Sequence, residues 1–151
     1  MTKAEKAILV AKEEFSKDIR EPKGKKDSPE IDKYIRSEEG LNWTWEKPYE
    51  SNRQFEWCGA FAAFCYGKNG LKKEIRKEHL PSTYRLYSWL HSKAGKGREV
   101  KPKDILPGDV VVVKPQEGGK RYGNHICLAV DVQEDGIVTI EGNATGNFPV
   151  A

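Results

Sequence analysis

The chain has 151 residues, enough for one domain of ordinary size whose core needs no disulfide support. Charged residues make up 32% of it, more than the roughly 25% of an average globular domain, yet four Trp, six Tyr and five Phe exclude a disordered chain. A formal net charge of +3 permits attraction to an anionic polymer but does not by itself indicate a nucleic-acid-binding protein.

The first predicted element is an amphipathic helix over residues 3–20. Its apolar positions recur at helical spacing: Ala4, Ala7, Ile8, Ala11 and Phe15. Acidic residues and lysines interrupt these positions, so the segment is not a signal peptide, and no apolar run in the chain approaches the roughly 18 residues of a membrane helix. We therefore expect synthesis in the cytoplasm without a signal peptide, and no insertion into a membrane.

A second, short helix is predicted to follow Ser28, which is a suitable N-cap with Pro29 at the first helical position. Its buried stripe would consist of Ile31, Tyr34 and Ile35. Residues 40–54 lack periodicity and are predicted to form a loop. Trp43, Trp45 and Tyr49 in this loop either stack on sugars or pack in the interior.

The least polar segment, FEWCGAFAAFCY at 55–66, predicts a buried helix from about Cys58 to Lys68 that Asn69-Gly70 ends. Ser82 is predicted to cap a further helix that presents Leu86, Trp89 and Leu90 on one face. Residues 105–109 predict a turn, and strands are predicted at 110–113, 125–132 and 137–142. Helices followed by an antiparallel sheet indicate the α+β class and a single domain over 1–151.

For the turn between the last two strands we predict a three-residue loop, Glu134-Asp135-Gly136, with Gly136 in the left-handed conformation. This loop pairs Gln133 with Ile137 and places odd-numbered residues of both strands on one face. The other face is apolar and is the predicted core side, with Ile126, Leu128, Val130, Val132, Val138 and Ile140. The odd-numbered face carries His125, Cys127, Thr139, Glu141 and Asn143.

Cys58 is the candidate nucleophile, because a helix N-terminus favours a thiolate, although a buried structural cysteine is the competing interpretation. Cys65 lies two turns further along the same helix and is expected to be structural, while Cys127 is a neighbour of the site without an evident role. An odd number of cysteines without CxxC or zinc-like Cys/His spacing predicts neither a disulfide framework nor a metal.

His125 is the candidate base, because it begins a strand at the rim of the sheet beside a polar row. His79 lies in the charged stretch KKEIRKEH and is expected on the solvated surface, and His91 is expected to be exposed or partly packed. Glu141 and Asn143 either orient His125 or are simply an exposed strand end and a turn residue.

Four motifs occur in order: WCGAFAAFCY at 57–66, LPGDVVVV at 106–113, NHICLAV at 124–130 and VTIEGN at 138–143. With this combination, roughly residues 3–145 resemble the CHAP group of the NlpC/P60 superfamily of papain-like cysteine hydrolases. The resemblance implies a papain-like fold, with N-terminal helices packed on a small antiparallel sheet. It also implies a nucleophile at Cys58, a base at His125, an orienting acid at Glu141 and a supporting amide at Asn143.

The resemblance further implies hydrolysis of an amide bond in peptidoglycan without a cofactor. The N–H of Cys58 would supply one oxyanion donor and Gln54 or Asn52 a second, with Trp57 beside the substrate. The bond cut is either the N-acetylmuramoyl-L-alanine amide or a peptide bond of the stem or cross-bridge. We expect a monomer that reaches the cell wall or the periplasm as a phage lysin, a tail enzyme or an injected effector.

A catalytically inactive CHAP-like cell-wall-binding module is the alternative, but the complete set of candidate catalytic residues favours an enzyme. Lysine-rich stretches at 68–77 and 93–103 are interleaved with other residues, glutamates among them, which favours solvated surface over a nucleic-acid partner. Members of the family usually continue with further strands after Asn143, so we expect either a smaller sheet here or a truncated C-terminus.

Overall fold

A computed structural model of the chain describes residues 1–19, 29–42, 57–80, 83–92, 101–113 and 125–142. Within these residues, helices come first and a three-stranded antiparallel sheet comes last, which confirms the predicted α+β class. The helices are α1 (Lys3–Ser16), α2 (Pro29–Arg36), α3 (Cys58–Gly67), α4 (Lys73–His79) and α5 (Thr83–Leu90). A single 3-10 turn, Pro102–Asp104, precedes the strands β1 (Val110–Val113), β2 (His125–Gln133) and β3 (Gly136–Ile140).

Helix α1 begins with a reciprocal cap. The Thr2 hydroxyl accepts from the backbone N–H of Glu5 at 3.1 Å, and the Glu5 carboxylate accepts from the N–H of Thr2 at 2.6 Å. The helix ends at Ser16, before the predicted boundary, and Phe15 is 73% exposed rather than buried. The prediction was wrong at this position because Glu14, its neighbour, turns inward instead.

Glu14 turns inward because three donors surround its carboxylate. Tyr34 donates its hydroxyl at 2.7 Å, and the ammonium groups of Lys17 and Lys33 lie at 2.7 Å and 2.5 Å. Burial alone would raise the pKa of Glu14, but these hydrogen bonds hold it below its ordinary value. The carboxylate therefore joins α1 to α2 as a buried, charged group with its partners in place.

The core is built around α3, in which every residue from Cys58 to Cys65 is buried. Tyr34 of α2 stacks on Trp57 at a ring distance of 5.7 Å and meets Phe61 and Phe64 edge-on at 5.3 Å and 5.1 Å. The chain leaves α3 through Gly70, whose φ of +90° is a conformation that favours glycine.

The charged stretch after α3 is helical, which periodicity did not predict. In α4, Arg76 is buried and donates to the carbonyls of Glu38 and Gly40 at 2.7 Å and 2.8 Å. The ring of His79 stacks on Trp89 of α5 at 4.7 Å, so it is half-buried. The prediction of a solvated surface was therefore wrong for both Arg76 and His79, since backbone carbonyls and an aromatic ring replace water around them.

Strand β2 occupies the centre of the sheet and pairs antiparallel with β1 and β3. Val113 at the end of β1 pairs with His125 at the start of β2. The predicted turn before β1 is present, with Gly108 at a φ of +96° and its N–H bonded to the carbonyl of Ala129 at 2.7 Å. The hydroxyl of Tyr66 donates to the Gly108 carbonyl, which ties this turn to α3.

The β2–β3 hairpin has a two-residue turn, so the predicted three-residue loop is wrong. Gln133 pairs with Gly136, and Gly136 does not take the left-handed conformation. This turn alone would place His125 and Glu141 on opposite faces. A register shift at Val130 inserts one residue into β2, after which Ala129 pairs with Thr139. The irregularity therefore restores the shared odd-numbered face at the end of the hairpin where His125 lies.

The same register shift alters the outer part of the hairpin. Beyond it, Val138 pairs with Asp131, and Val138 is 39% exposed instead of lying in the core. Ile126 and Leu128 are fully buried against α3, as predicted. The apolar face of the hairpin is thus confined to the half that covers the helix.

Candidate active site

Cys58 is the first residue of α3 and is preceded by Trp57, which offers no side-chain hydrogen bond to the helix start. The N–H groups of a first helical turn have no carbonyl partner within the helix and carry partial positive charge. Cys58 is buried, with 5% of its surface exposed. Its thiol therefore lies where a developing anion is stabilised by the backbone.

His125 begins β2 and meets two partners from different elements. Its Nε2 is 2.9 Å from Oε2 of Glu141, the residue directly after β3, and its ring also hydrogen-bonds with Cys58. The imidazole thus lies between the start of α3 and the end of β3.

Cys58 and Glu141 determine the protonation state of the His125 imidazole. Hydrogen bonds to Cys58 and to Glu141 raise the pKa of His125 to about 10, against the opposing effect of burial. The imidazolium in turn holds the pKa of Glu141 below its ordinary value, with a further contribution from Thr139. At neutral pH the ring is therefore protonated, and it lies between the Glu141 carboxylate and the Cys58 sulfur.

Gly142 allows the end of β3 to approach the start of α3. A methyl group at this position would lie 2.7 Å from the Phe61 Cβ and 2.7 Å from Cε3 of the Trp57 ring. Real side chains do not approach so closely, so only glycine permits this packing without movement. Since Gly142 follows Glu141 directly, its contact with α3 fixes how near the carboxylate comes to His125.

The other two cysteines, Cys65 and Cys127, lie in the interior of α3 and on β2, respectively. Cys65 is completely buried, and burial raises the pKa of its thiol to about 12. Burial, together with the nearby Glu141 and Cys58, likewise raises the pKa of Cys127 to about 12, and its thiol contacts the Val111 carbonyl at 3.7 Å. All three cysteines are free thiols. Cys65 and Cys127 thus lie in settings that suppress ionisation.

The structure describes some of the predicted site residues but not others. The structure brings Cys58, His125 and Glu141 together, while Asn143, Gln54 and Asn52 lie outside the described residues. Trp57 is 7% exposed and its ring stacks on Tyr34. Its backbone, rather than its ring, would therefore contact a substrate. The proposed roles of all these residues in catalysis stay predictions.

Neither a family model, nor a curated protein, nor a solved structure matches this chain. The geometry of the site and the motifs in the sequence are therefore the indications of function. In the residues that the structure describes, no group of three or more His, Cys, Asp or Glu side chains could hold a metal ion. Among the same residues, no helix has the length and apolar character needed to span a membrane.

Sequence reasoning missed two features of the site. Thr139 was placed on the His125 face without a role, although its hydroxyl donates to Oε1 of Glu141 at 2.5 Å. The contact of Gly142 with α3 was also missed. The spacing of Thr139 and Glu141, two residues apart in a strand, was the available signal for the first, whereas the second depends on tertiary packing.

Proposed function

We propose that the chain is a cysteine-dependent hydrolase of the CHAP group, with a papain-like fold, that cleaves an amide bond in peptidoglycan. The observation that carries this proposal is the contact of His125 with both Cys58 and Glu141 at the start of a buried helix. A nucleophile, a base and an orienting acid in this order form the arrangement that nucleophilic catalysis by cysteine requires. The four ordered motifs supply the expectation of peptidoglycan as the substrate.

In the proposed reaction, the thiolate of Cys58 attacks the carbonyl carbon of the amide, and the N–H of Cys58 stabilises the resulting oxyanion. The His125 imidazolium then protonates the leaving amine, so that an acyl-enzyme thioester remains. His125, now neutral, deprotonates a water that attacks the thioester; the carboxylic acid product leaves, and the Cys58 thiolate and the His125 imidazolium are regenerated. Throughout, Glu141 keeps the ring oriented and stabilises its positive charge.

The fold supports this division of tasks by assigning each group to a rigid element. Cys58 is fixed by α3, which is buried along its first eight residues, and His125 by the central strand of the sheet. Since α3 and β2 pack together through Ile126 and the interior of the helix, the distance between thiol and imidazole is set by the core. A site held in this way needs little reorganisation during the reaction.

Mass spectrometry of purified cell walls digested by the wild type and by Cys58→Ser tests the proposal. We expect the wild type to release fragments with a new amino terminus; a free lactyl carboxylate on the sugar would identify amidase cleavage, and a new carboxyl terminus in the peptide would identify endopeptidase cleavage. Cys58→Ser should release none. Walls left intact by the folded wild type, or equal digestion by Cys58→Ser, would contradict the proposed function.

A further inference from the structure

We propose that Thr139 is a positioning residue whose hydroxyl fixes the Glu141 carboxylate in the orientation that meets His125. Its consequence for the rate depends on the proposed function, whereas its effect on His125 does not. Thr139 therefore extends the polar chain that begins at Cys58 by one member.

The geometry assigns one partner to each oxygen of the carboxylate. Thr139 Oγ1 donates to Oε1 of Glu141 at 2.5 Å, while Oε2 lies 2.9 Å from His125 Nε2. Two anchored oxygens fix both the position and the plane of a carboxylate, whereas one leaves it free to rotate. The side chain of Glu141 is only 15% exposed, so water competes weakly for these bonds.

Glu141 needs such an anchor because it lies just outside the hydrogen-bonded ladder. Strand β3 ends at Ile140, whereas Thr139 is within the strand and pairs with Ala129 of β2. A β-branched threonine also has few accessible χ1 rotamers. The hydroxyl is therefore placed by the sheet itself, and it transfers that order to the neighbouring carboxylate.

The electrostatic consequence has a defined sign. The Glu141 carboxylate favours protonated His125, and the Thr139 hydrogen bond holds the carboxylate so that Oε2 meets Nε2; loss of the hydroxyl therefore weakens this contact and lowers the pKa of His125. The other titratable groups that act on this pair among the described residues are Cys58 at the start of α3 and Cys127 on β2. Neither donates to the Glu141 oxygens, so loss of the Thr139 hydroxyl leaves Oε1 without this anchor.

The test compares Thr139→Val, which keeps the shape and the strand propensity but removes the hydroxyl, with Thr139→Ser, which restores it. Val138→Ala, on the exposed neighbour in the same strand, controls for disturbance of β3. Two quantities are measured for each variant: kcat and KM on purified peptidoglycan, and the pKa of His125 by NMR titration of its ring.

We expect Thr139→Val to lower kcat about 10-fold with KM little changed, the low end for a hydrogen bond to a charged acceptor, and to lower the pKa of His125. Thr139→Ser should restore both quantities, and Val138→Ala should change neither. A Thr139→Val protein with wild-type values for both, or a Thr139→Ser protein as impaired as Thr139→Val, would overturn the inference. If the wild type lacks activity while the His125 pKa still follows the hydroxyl, the positioning role stands and the proposed function fails.

Discussion

The carboxylates of Glu14 and Glu141 are both largely shielded from water, but their hydrogen-bond partners suit them to different roles. Glu14, with 2% of its side chain exposed, is held by two lysines and a tyrosine. Glu141, 15% exposed, is held by Thr139 and by a histidine that also contacts a thiol. Burial and the hydrogen bond to Glu14 raise the pKa of Tyr34, so its hydroxyl keeps its proton. The Glu141 group, by contrast, contains the histidine and the thiol that we propose as base and nucleophile.

The neighbours of a buried carboxylate, rather than its burial, indicate whether it stabilises the fold or takes part in a reaction. Glu14 connects α1 to α2, and its replacement should cost stability. Glu141 orients an imidazole at the end of a hairpin, and its replacement should cost rate. Variants of each group separate a loss of stability from a loss of rate.

The strongest contrast is between two cysteines of the same helix. Cys58→Ser should reduce peptidoglycan hydrolysis by about 10³-fold or more, as loss of a nucleophile does in comparable enzymes, while the thermal unfolding of the protein is preserved. Cys65→Ala should retain the rate at a permissive temperature and lose about 1–3 kcal/mol of stability, because it removes part of the core. The assay is release of soluble wall fragments, paired with circular-dichroism melting. An inactive but equally stable Cys65→Ala would reverse the assignment.

Glu141 and Asn143 offer His125 a carboxylate and an amide, respectively. Glu141→Gln should lower the catalytic rate by about 10²–10⁴-fold, since charge and control of the imidazole tautomer are both lost, and it should lower the pKa of His125. Asn143→Ala should be the milder change, because an amide can orient the ring but cannot stabilise its charge. Rate against pH for both variants distinguishes the roles. An inverted order of severity would assign the ring to the amide instead.

His125 also makes stability depend on pH in the alkaline range. Its folded-state pKa is raised to about 10, above the ordinary 6.5, so its contribution is complete below pH 6.5 and is lost as pH rises towards 10. Glu141→Gln should flatten this loss relative to the wild type. Denaturant unfolding of both proteins between pH 6 and 10.5 measures the difference, for which identical slopes would argue against a folded-state contact between the two groups.

Substitution of Gly142 tests the packing of the end of the hairpin against the start of α3. Gly142→Ala should destabilise the fold by about 1–3 kcal/mol, since the added methyl group overlaps Phe61 and Trp57, and should lower activity by moving Glu141. Gly136→Ala in the same hairpin is the matched control, because no atom lies within 4 Å of the added methyl group. It should stay within about 0.5 kcal/mol of the wild type. Equal melting temperatures for the two variants would show that the end of β3 does not pack as described.

The smallest effect concerns the other carboxylate and the acidic range. The pKa of Glu14 lies below its ordinary value of 4.5, so its stabilising contribution is present above pH 4.5 and is lost as pH falls through the folded-state pKa. Glu14→Gln should therefore be less stable than the wild type at pH 7, with a difference that narrows towards pH 3. Hydrolysis at a permissive temperature should be unchanged. Melting temperatures from pH 7 to pH 3 measure this, and a constant difference would contradict the charged role.

Local pattern predicted much of the architecture. The apolar segment at 55–66, followed by Asn69-Gly70, predicted α3 with Cys58 at its start. The strand pattern at 125–132 predicted that His125 begins a strand. The register shift at Val130 was not predictable, because it interrupts an apolar stretch with no glycine or proline to mark it. The two-residue turn moves the odd-numbered side chains of β2 and β3 to opposite faces, and the register shift returns them to one face near His125. The predicted register was therefore wrong, but His125 and Glu141 still lie on the same face, as predicted.

Other misses arise from partners that lie far away in the sequence. Burial of Glu14 depends on Tyr34 and Lys33 about twenty residues later, and burial of Arg76 depends on carbonyls in the turn after α2. Charge patterning treats such residues as solvated, because most of them are. Only the tertiary structure brings the compensating groups to them.

The central claim, that Cys58, His125 and Glu141 act as one coupled group, is tested most directly by NMR titration of the His125 ring in the wild type and in Cys58→Ser. We expect the wild-type imidazole to titrate with a pKa of about 10, and we expect this pKa to fall when Ser replaces the thiol. A wild-type pKa near the ordinary 6.5 that Cys58→Ser leaves unchanged would contradict the central claim.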